Sequence, residues 1–359
     1  MTPDRIEIPA FTDAHVHLRQ DSMLRQVAPY TGVACDNAVV MPNTTPSIHD
    51  DHDIIRYRGE CRGACGSQTG IHMTAKWLPR TAPHEFLRAK QARVLGYKLY
   101  PAGVTTNSDD GIPWEWLADP SLKQVRVALE QMEALGLVLL CHGESDGFVL
   151  DREREFLSAF YRIHKEFPKL RMTLEHITTV EAVSMVRELN RRRPGSVLGT
   201  ITLHHLETTL DDVIGGHLKP HLFCKPIPKR SSDRRVLLDA ALSGEAGFAL
   251  GSDSAPHYRE AKESVCGCAG VFTAPVLAPG VVSLFDRENS LDLTSKFEPP
   301  LFRFTSGNAN NFYGFKRSGR RLTLERRPFV VPPSCGQTIR DVVPYRAGET
   351  LPWSLVDGE

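Results

Sequence analysis

The sequence lacks a charge imbalance. Its 359 residues carry 43 acidic and 43 basic side chains, so the formal net charge is zero. A chain without excess positive charge has no global field that would attract nucleic acid or an anionic membrane. One local exception lies near the C-terminus, and because no aromatic residues interleave it, we interpret it as solvated surface. It comprises Lys316, Arg317, Arg320, Arg321, Arg326 and Arg327.

Long apolar runs are missing as well. No run reaches the ~20 residues that a membrane-spanning helix needs, and the N-terminus has no apolar core of a secretory signal peptide. The eight cysteines are therefore expected to be reduced thiols rather than a disulfide framework. We find no internal repeat and no low-complexity linker. These features predict a cytoplasmic protein without nucleic-acid or membrane partners.

Short apolar and β-branched runs do recur along the chain. Many of the intervening segments have helical spacing, and in residues 121–135 an apolar stripe comprises Leu122, Val125, Leu129 and Met132. Strands that alternate with helices indicate a parallel sheet, and eight such units are the count of a (β/α)8 TIM barrel. The eight runs are residues 11–18, 38–43, 71–78, 94–100, 137–143, 172–178, 197–205 and 248–254.

The length suits a single barrel, because such barrels commonly need about 250 residues or more. We predict one barrel domain over residues 1–359, with its strands within about 11–256 and a C-terminal helix and tail over about 300–359. Within the last part, residues 302–313 are expected to be helical. Only 14 residues precede His15, which is too few for the strands of an N-terminal β-sandwich domain.

His15 and His17 form the most informative motif. In extended backbone, alternate side chains share a face, so both imidazoles point the same way. Histidine is the commonest metal ligand, which makes the pair half of a metal site. Taken alone, the pattern fits an ordinary strand end equally well.

Four further ionisable residues lie near the ends of predicted strands: Lys98, His142, His176 and Asp253. In a TIM barrel the active site is built at the C-terminal ends of several strands. We therefore expect these four side chains to converge with the two histidines on one metal site. Alone, Lys98 would be interpreted as an ion pair at a strand end.

Two other groups of possible ligands are interpreted as structural. Cys266 and Cys268 lack the Cys-x-x-Cys spacing of a metal site, and together with Cys141 and Cys224 we expect them to be small buried thiols. His204 and His205 follow the seventh predicted strand and are expected to make structural hydrogen bonds.

The segments around the candidate ligands resemble a known family. The set of six residues is similar to the ligand set of the amidohydrolase superfamily, and the segments narrow the resemblance to short-type dihydroorotases over about residues 11–353. The segments are Asp-Ala-His-Val-His-Leu-Arg (13–19), Val-Val-Met-Pro-Asn (39–43), Tyr-Lys-Leu-Tyr-Pro-Ala-Gly-Val-Thr-Thr-Asn (97–107), His-Gly-Glu (142–144), Glu-His-Ile-Thr-Thr (175–179), Gly-Ser-Asp-Ser-Ala-Pro-His (251–257) and Cys-Gly-Cys-Ala-Gly (266–270).

The resemblance implies two zinc ions per subunit. His15, His17 and Asp253 would hold one ion, and His142 and His176 the other. Lys98 would bridge them after reaction with carbon dioxide, since a lysine ammonium has no acceptor and would repel two cations. Asp253 would also be catalytic, as the group that carries a proton from the attacking water to the leaving nitrogen. Cobalt or manganese would suit the same donors.

The resemblance also implies a carboxylate clamp. Arg19, Asn43 and His257 would bind the substrate's α-carboxylate, for which the planar fork of arginine is suited. Ala269 would contact the substrate through its backbone. Lys225 stands where an apolar residue is expected to contact the substrate ring through its backbone. A lysine could make the same backbone contact, and the effect of its charge on the local pocket is left open.

A mobile loop is predicted over residues 102–112, which are rich in Gly, Thr, Asn and Asp. By the same resemblance, the hydroxyl groups of Thr105 and Thr106 would bind the substrate when the loop closes over it.

The implied activity is the reversible cyclisation of N-carbamoyl-L-aspartate to L-dihydroorotate in pyrimidine biosynthesis, by a homodimer. One alternative is another cyclic amidase, such as a hydantoinase or dihydropyrimidinase, which would keep the six ligands but would not need the Arg19–Asn43 clamp. A second is a non-catalytic barrel that binds a partner, but such proteins lose ligands and all six are present here.

Overall fold

The computed structural model describes residues 4–293, 298–335 and 340–356. Its strands, numbered in chain order, are β1 (Arg5–Pro9), β2 (Phe11–Val16), β3 (Cys35–Val40), β4 (Gly70–Lys76), β5 (Gly96–Leu99), β6 (Val138–His142), β7 (Met172–Glu175), β8 (Val197–Ile201), β9 (Phe248–Leu250), β10 (Arg321–Glu325), β11 (Phe329–Val330), β12 (Thr350–Leu351) and β13 (Ser354–Val356).

Strands β2 to β9 form one parallel sheet in chain order. The sheet closes where Val16 pairs with Ser254, and the backbone N–H of Asp253 donates to the carbonyl of His15 at 2.9 Å. This is the predicted (β/α)8 barrel. Every predicted run overlaps one of its strands, although β3 and β4 begin before their runs. Several runs extend beyond the observed C-terminal ends, because apolar residues there belong to the loops that build the site.

The helices, numbered likewise, surround this sheet and continue the chain beyond it. They are α1 (Asp21–Ala34), α2 (Asp51–Cys65), α3 (Pro83–Gln91), α4 (Trp114–Ala118), α5 (Lys123–Ala134), α6 (Arg152–Glu166), α7 (Val180–Arg192), α8 (Leu203–Glu207), α9 (Leu210–Ile214), α10 (Ser231–Ser243), α11 (Arg259–Lys262), α12 (Leu277–Arg287), α13 (Pro300–Phe302) and α14 (Asn308–Tyr313).

The apolar stripes explain why these helices pack on the sheet. In α5 the buried residues Val125, Leu129 and Met132 recur at helical spacing, as the sequence predicts. Helix α7 begins after Thr179, whose side chain accepts a hydrogen bond from the N–H of Ala182. The predicted C-terminal helix is also present, since α13 and α14 are joined by a π-helical turn over Arg303–Gly307. Among the described residues, no helix has the length and apolarity to cross a membrane.

The two ends of the chain meet in a small antiparallel sheet of order β1-β10-β13. The sequence analysis did not predict strand β1, because a strand of five residues whose partner lies more than 300 positions away carries no local signal of pairing. The predicted tail is likewise partly β-structure, although its residues 336–339 and 357–359 lie outside the described ranges.

The basic cluster near the C-terminus is paired with acids rather than arranged as an open cationic surface. Four of its arginines pair with carboxylates from elsewhere in the chain, which agrees with its interpretation as ordinary surface. The pairs are Arg317 with Glu298 (2.7 Å), Arg320 with Asp36 (3.4 Å), Arg321 with Glu7 (3.4 Å) and Arg326 with Asp286 (2.8 Å).

Candidate active site

The structure brings His15, His17 and Asp253 together at the mouth of the barrel. The two Nε2 atoms lie 3.2 Å apart. Asp253 Oδ1 lies 3.4 Å from the Nε2 of His15 and 3.3 Å from that of His17. All three side chains are buried, and their donor atoms face one point from two neighbouring strand ends.

Backbone geometry aims two of the candidate ligands into the barrel. His176 and Asp253 both have a φ of 42°, a left-handed conformation that non-glycine residues rarely adopt. Such strain is typical of functional sites whose surroundings hold a side chain in place. Gly251 permits the approach of this segment, since a Cβ there would lie 2.9 Å from Thr200 Cβ and 3.1 Å from His15 Cβ.

His142 and His176 form a second pair. His142 Nδ1 lies 3.2 Å from His176 Nε2, and the rings of His15 and His176 approach to 5.0 Å between centroids. The second pair therefore adjoins the first group across the barrel. The five candidate ligands come from four strand ends, which is the convergence that the sequence predicts.

Lys98 lies buried between these groups. Its Nζ donates to Oε2 of Glu175, and the same carboxylate oxygen lies 3.1 Å from Nδ1 of His15. Sequence reasoning missed Glu175, although a carboxylate directly before His176 at the end of a buried strand was a signal for it. The ion pair at a strand end that Lys98 would make if taken alone is therefore present.

Burial sets the protonation of the site. It lowers the pKa of His17 to about 3, and it also lowers the pKa of His15, His142 and His176, so the imidazoles are neutral. Burial would raise the pKa of Asp253, but hydrogen bonds to His15 and His17 hold it well below its usual value. Neutral imidazole and ionised carboxylate are the forms in which these side chains bind metals.

The donor set fits a metal ion. Two nitrogens bound to one tetrahedral zinc at ~2.0–2.1 Å lie about 3.3–3.4 Å apart, close to the 3.2 Å between the Nε2 atoms of His15 and His17. Burial and the lowered pKa keep both imidazoles neutral, so each retains a nitrogen lone pair that a cation can use, and the neighbouring ionised Asp253 supplies negative charge for that cation.

The predicted clamp residues also lie close together. Arg19 donates from Nε to the carbonyl of Pro256 at 2.8 Å, and its Nη2 lies 3.0 Å from Nε2 of His257. That imidazole nitrogen lies 3.1 Å from the carbonyl oxygen of Ala269. Arg19 and Ala269 line the same cavity as the histidines. A cationic fork is thus held beside the candidate metal ligands.

Asn43 connects the clamp to the predicted loop. Its Nδ2 donates to the carbonyl of Thr106 at 2.8 Å, and its buried Oδ1 accepts no hydrogen bond within the described chain. Thr105 and Thr106 line the cavity. Residues 102–112 therefore lie over the site in this structure, in the position that the sequence analysis assigns to the closed loop.

Lys225 lines the cavity too, and it is partly buried. Burial lowers its pKa, which the nearby Glu144 partly offsets. Tyr100 is a lining residue that the sequence analysis missed, and its buried hydroxyl has no partner among the described residues. Its position two residues after Lys98 was a signal, because alternate residues of a strand share a face.

The other possible ligands behave differently. His205 makes the expected structural hydrogen bonds, with Nδ1 2.9 Å from the hydroxyl of Thr202 and Nε2 3.0 Å from the carbonyl of Pro226. His204 does not, because neither of its ring nitrogens has a partner in the described chain. Cys266 is exposed and Cys268 is partly exposed, so the expectation that both are buried was wrong. All eight cysteines are free thiols.

No family model matches the chain. A dihydroorotase of Helicobacter hepaticus is 35% identical over 354 residues, which are 98% of each chain. Among solved structures, a dihydroorotase of Campylobacter jejuni has a TM-score of 0.87 at 36% identity and covers 99% of this chain and 98% of its own. A dihydroorotase of Saccharomyces cerevisiae, in complex with 5-fluoroorotic acid, has a TM-score of 0.88 at 31% identity, with 99% of each chain covered.

These likenesses extend over nearly the whole length of each chain, so they include the barrel, the loops at its mouth and the C-terminal segments alike. Sequence identity of this extent together with the shared amidohydrolase-type barrel places the chain in the dihydroorotase family.

Proposed function

We propose that this chain catalyses the reversible cyclisation of N-carbamoyl-L-aspartate to L-dihydroorotate, a step of pyrimidine biosynthesis, with two zinc ions bridged by a carboxylated Lys98. The observation that carries the proposal is one cavity lined both by the histidines and Asp253 and by the cationic Arg19. The metal-binding side chains suit amide chemistry, and Arg19 suits a substrate that carries a carboxylate.

Lys98 supports the bridging role through its protonation. Burial lowers its pKa to about 7, so a neutral amine is available near neutral pH. That amine would add to carbon dioxide, forming an N–C bond and releasing one proton, and the product would be an anionic group with two oxygens. His15, His17 and Asp253 would hold one ion, and His142 and His176 the other. When bound, such metals supply an acidified water and polarise the amide carbonyl.

The chain's own residues would orient the substrate. Arg19, Asn43 and His257 would bind the α-carboxylate, while Ala269, Lys225, Thr105 and Thr106 would surround the rest of the molecule. Asp253 is ionised and lies at the metal-binding group, so it would accept a proton from the attacking water and deliver it to the leaving nitrogen.

Stoichiometry fixes how the equilibrium depends on pH. N-carbamoyl-L-aspartate is a dianion and L-dihydroorotate a monoanion, so ring closure consumes one proton and releases one water. Acid therefore favours closure and alkali favours hydrolysis. A homodimer, which rests on the family resemblance, and a cytoplasmic location, which rests on the sequence features described above, complete the proposal.

Another cyclic amidase is the second candidate, since a hydantoinase or dihydropyrimidinase would use the same six ligands. The contact between Arg19 and His257 beside the cavity favours a substrate with a carboxylate, which a simple hydantoin or dihydropyrimidine lacks.

The deciding experiment follows ring opening of L-dihydroorotate by its loss of ultraviolet absorbance, in wild type and Lys98→Ala, with the metal content of both measured. We expect turnover in wild type, and near-zero turnover with depleted metal in the variant. Lys90→Ala, an exposed lysine of α3, is the control and should resemble wild type. A fully metallated wild type that leaves L-dihydroorotate intact would contradict the proposal and turn attention to hydantoins and dihydropyrimidines.

A further inference from the structure

Lys76 is a buried cation that the reaction described above does not use. It is the last residue of β4, at the mouth of the barrel, and only 1% of its surface is exposed. Its Nζ donates to the carbonyl oxygen of Asn107 at 2.7 Å and to the carboxylate of Asp110. Both acceptors belong to the loop of residues 102–112, so the ammonium lies beneath the loop that covers the cavity.

The base of this loop is fixed by its own backbone. Ala102 donates to the carbonyl of Ile112 at 3.0 Å, and the N–H of Ile112 donates to the carbonyl of Tyr100 at 2.9 Å. Side chains from outside the loop hold its tip as well. Asn43 provides one such attachment, through the carbonyl of Thr106, and Lys76 provides another.

The attachments differ in charge. Asn43 makes a neutral hydrogen bond, as does Asn107 with the hydroxyl of Thr45 at 3.3 Å. Within the part of the chain that the structure describes, the attachment made by Lys76 is the one that is an ion pair. Charge-assisted hydrogen bonds are about twice as strong as neutral ones.

Opening the loop would separate the Lys76 ammonium from both of its acceptors. Removing the partners of a buried charge is costly, because the charge loses its compensation. Asp110, by contrast, is about half exposed, at 48%, and water would solvate it once the loop opened. The ion pair therefore favours the closed loop, in which Thr105 and Thr106 line the cavity.

We propose that Lys76 is a positioning residue, which holds the loop of residues 102–112 closed over the active site through Asp110 and Asn107. This inference rests on the proposed function, in which Thr105 and Thr106 contact the substrate. Lys76 itself touches neither substrate nor metal; it acts through the loop.

The experiment compares Lys76→Met with Asp110→Ala. Losing a hydrogen bond to a charged group corresponds to about a ten- to hundred-fold change, and we expect a fall in kcat/KM of about this size for Lys76→Met. Asp110→Ala should lose less, because the bond from Lys76 to the Asn107 carbonyl remains. Asp109→Ala removes the neighbouring exposed carboxylate of the same loop and serves as the matched control, with wild-type kinetics.

Two readouts separate positioning from a purely structural role. Backbone amides of residues 102–112 should exchange with deuterium faster in both variants, while amides of the barrel strands and the zinc content stay unchanged. The double variant should lose no more kcat/KM than Lys76→Met alone, because the two side chains act as one pair.

The outcomes are distinct for the inference and for the proposed function. If wild type opens L-dihydroorotate while Asp110→Ala shows wild-type kinetics and loop exchange, the inference is wrong and the function stands. If wild type is inactive, the proposed function is wrong. Deuterium exchange of the loop amides then tests the inference about Lys76 by itself. Should Lys76→Met fail to fold, Asp110→Ala against Asp109→Ala is decisive, since both residues are on the exposed side of the loop.

Discussion

At the scale of single residues, buried acceptors decide which nitrogen of each imidazole faces the cavity. Oε2 of Glu144 lies 2.7 Å from Nε2 of His142. That nitrogen is therefore assigned the proton, and Nδ1 is left free to bind a metal beside Nε2 of His176. The motif His-Gly-Glu thus supplies a candidate ligand and the group that orients it.

Glu144→Gln tests this orientation. The neutral amide keeps an acceptor but loses the charge that favours the correct tautomer, so we expect metal affinity to fall about ten- to a hundred-fold. Zinc retention against a competing chelator measures the effect. Glu130→Gln, on the exposed face of α5, should retain zinc as wild type does, and equal retention in both variants would contradict the assignment.

At the scale of elements, a histidine joins two neighbouring helices. His164 of α6 is buried, and its Nε2 lies 2.9 Å from the hydroxyl of Ser196. Arg193, at the end of α7, donates to its backbone carbonyl at 2.6 Å. Burial, with the nearby Arg193, lowers the pKa of His164 to about 4, so the folded protein holds this imidazole neutral between two packed helices.

The lowered pKa of His164 predicts that the folded protein becomes less stable in acid. Between pH 6.5 and pH 4 the unfolded chain binds a proton at His164 that the folded chain does not, so the free energy of unfolding falls as the pH falls. The window follows from an unfolded pKa of about 6.5 and a folded pKa of about 4.

His164→Gln should remove this part of the pH dependence. We expect denaturant unfolding at pH 7.5, 6 and 4.5 to show a smaller loss of stability for the variant, by on the order of 1 kcal/mol. His84→Gln changes an exposed histidine of α3 and should follow wild type. Parallel pH curves for wild type and His164→Gln would argue against the predicted shift.

At the scale of the whole molecule, the two chain ends support the barrel from outside. Trp353, next to β13, is fully buried and donates from Nε1 to Asp286 of α12 at 3.1 Å. The guanidinium of Arg326 lies 4.7 Å from the centre of its ring. The C-terminal segment is therefore anchored on the barrel by an aromatic side chain and the groups around it.

Trp353→Ala should destabilise the protein by about 3–5 kcal/mol, since a large buried side chain leaves a cavity that the surroundings fill only in part. Thermal unfolding measures the loss. The folded variant should keep wild-type kcat at a permissive temperature, because Trp353 does not line the active-site cavity. Trp353→Phe keeps a ring and should lose less; if it loses as much as Trp353→Ala, the packing argument is wrong.

The sequence by itself determined the barrel and its candidate ligands. Short apolar runs and helical spacing are local, so the eight strands and the amphipathic helices such as α5 could be predicted from neighbouring residues. The convergence of the candidate ligands could be predicted because strand ends of a parallel barrel converge, and this rule holds without knowledge of side-chain contacts. The resemblance to dihydroorotases added the roles that are expected of Arg19, Asn43 and the loop threonines.

Only the tertiary structure decided the contacts between distant residues. The pairing of β1 with β10, the contact of Glu175 with Lys98 and His15, and the attachment of the loop by Lys76 join positions far apart in the chain. No local pattern encodes such contacts, because each depends on where the folded chain places the second partner. For Lys76 the burial decided the interpretation, since the same residue exposed at a strand end would be an ordinary surface cation.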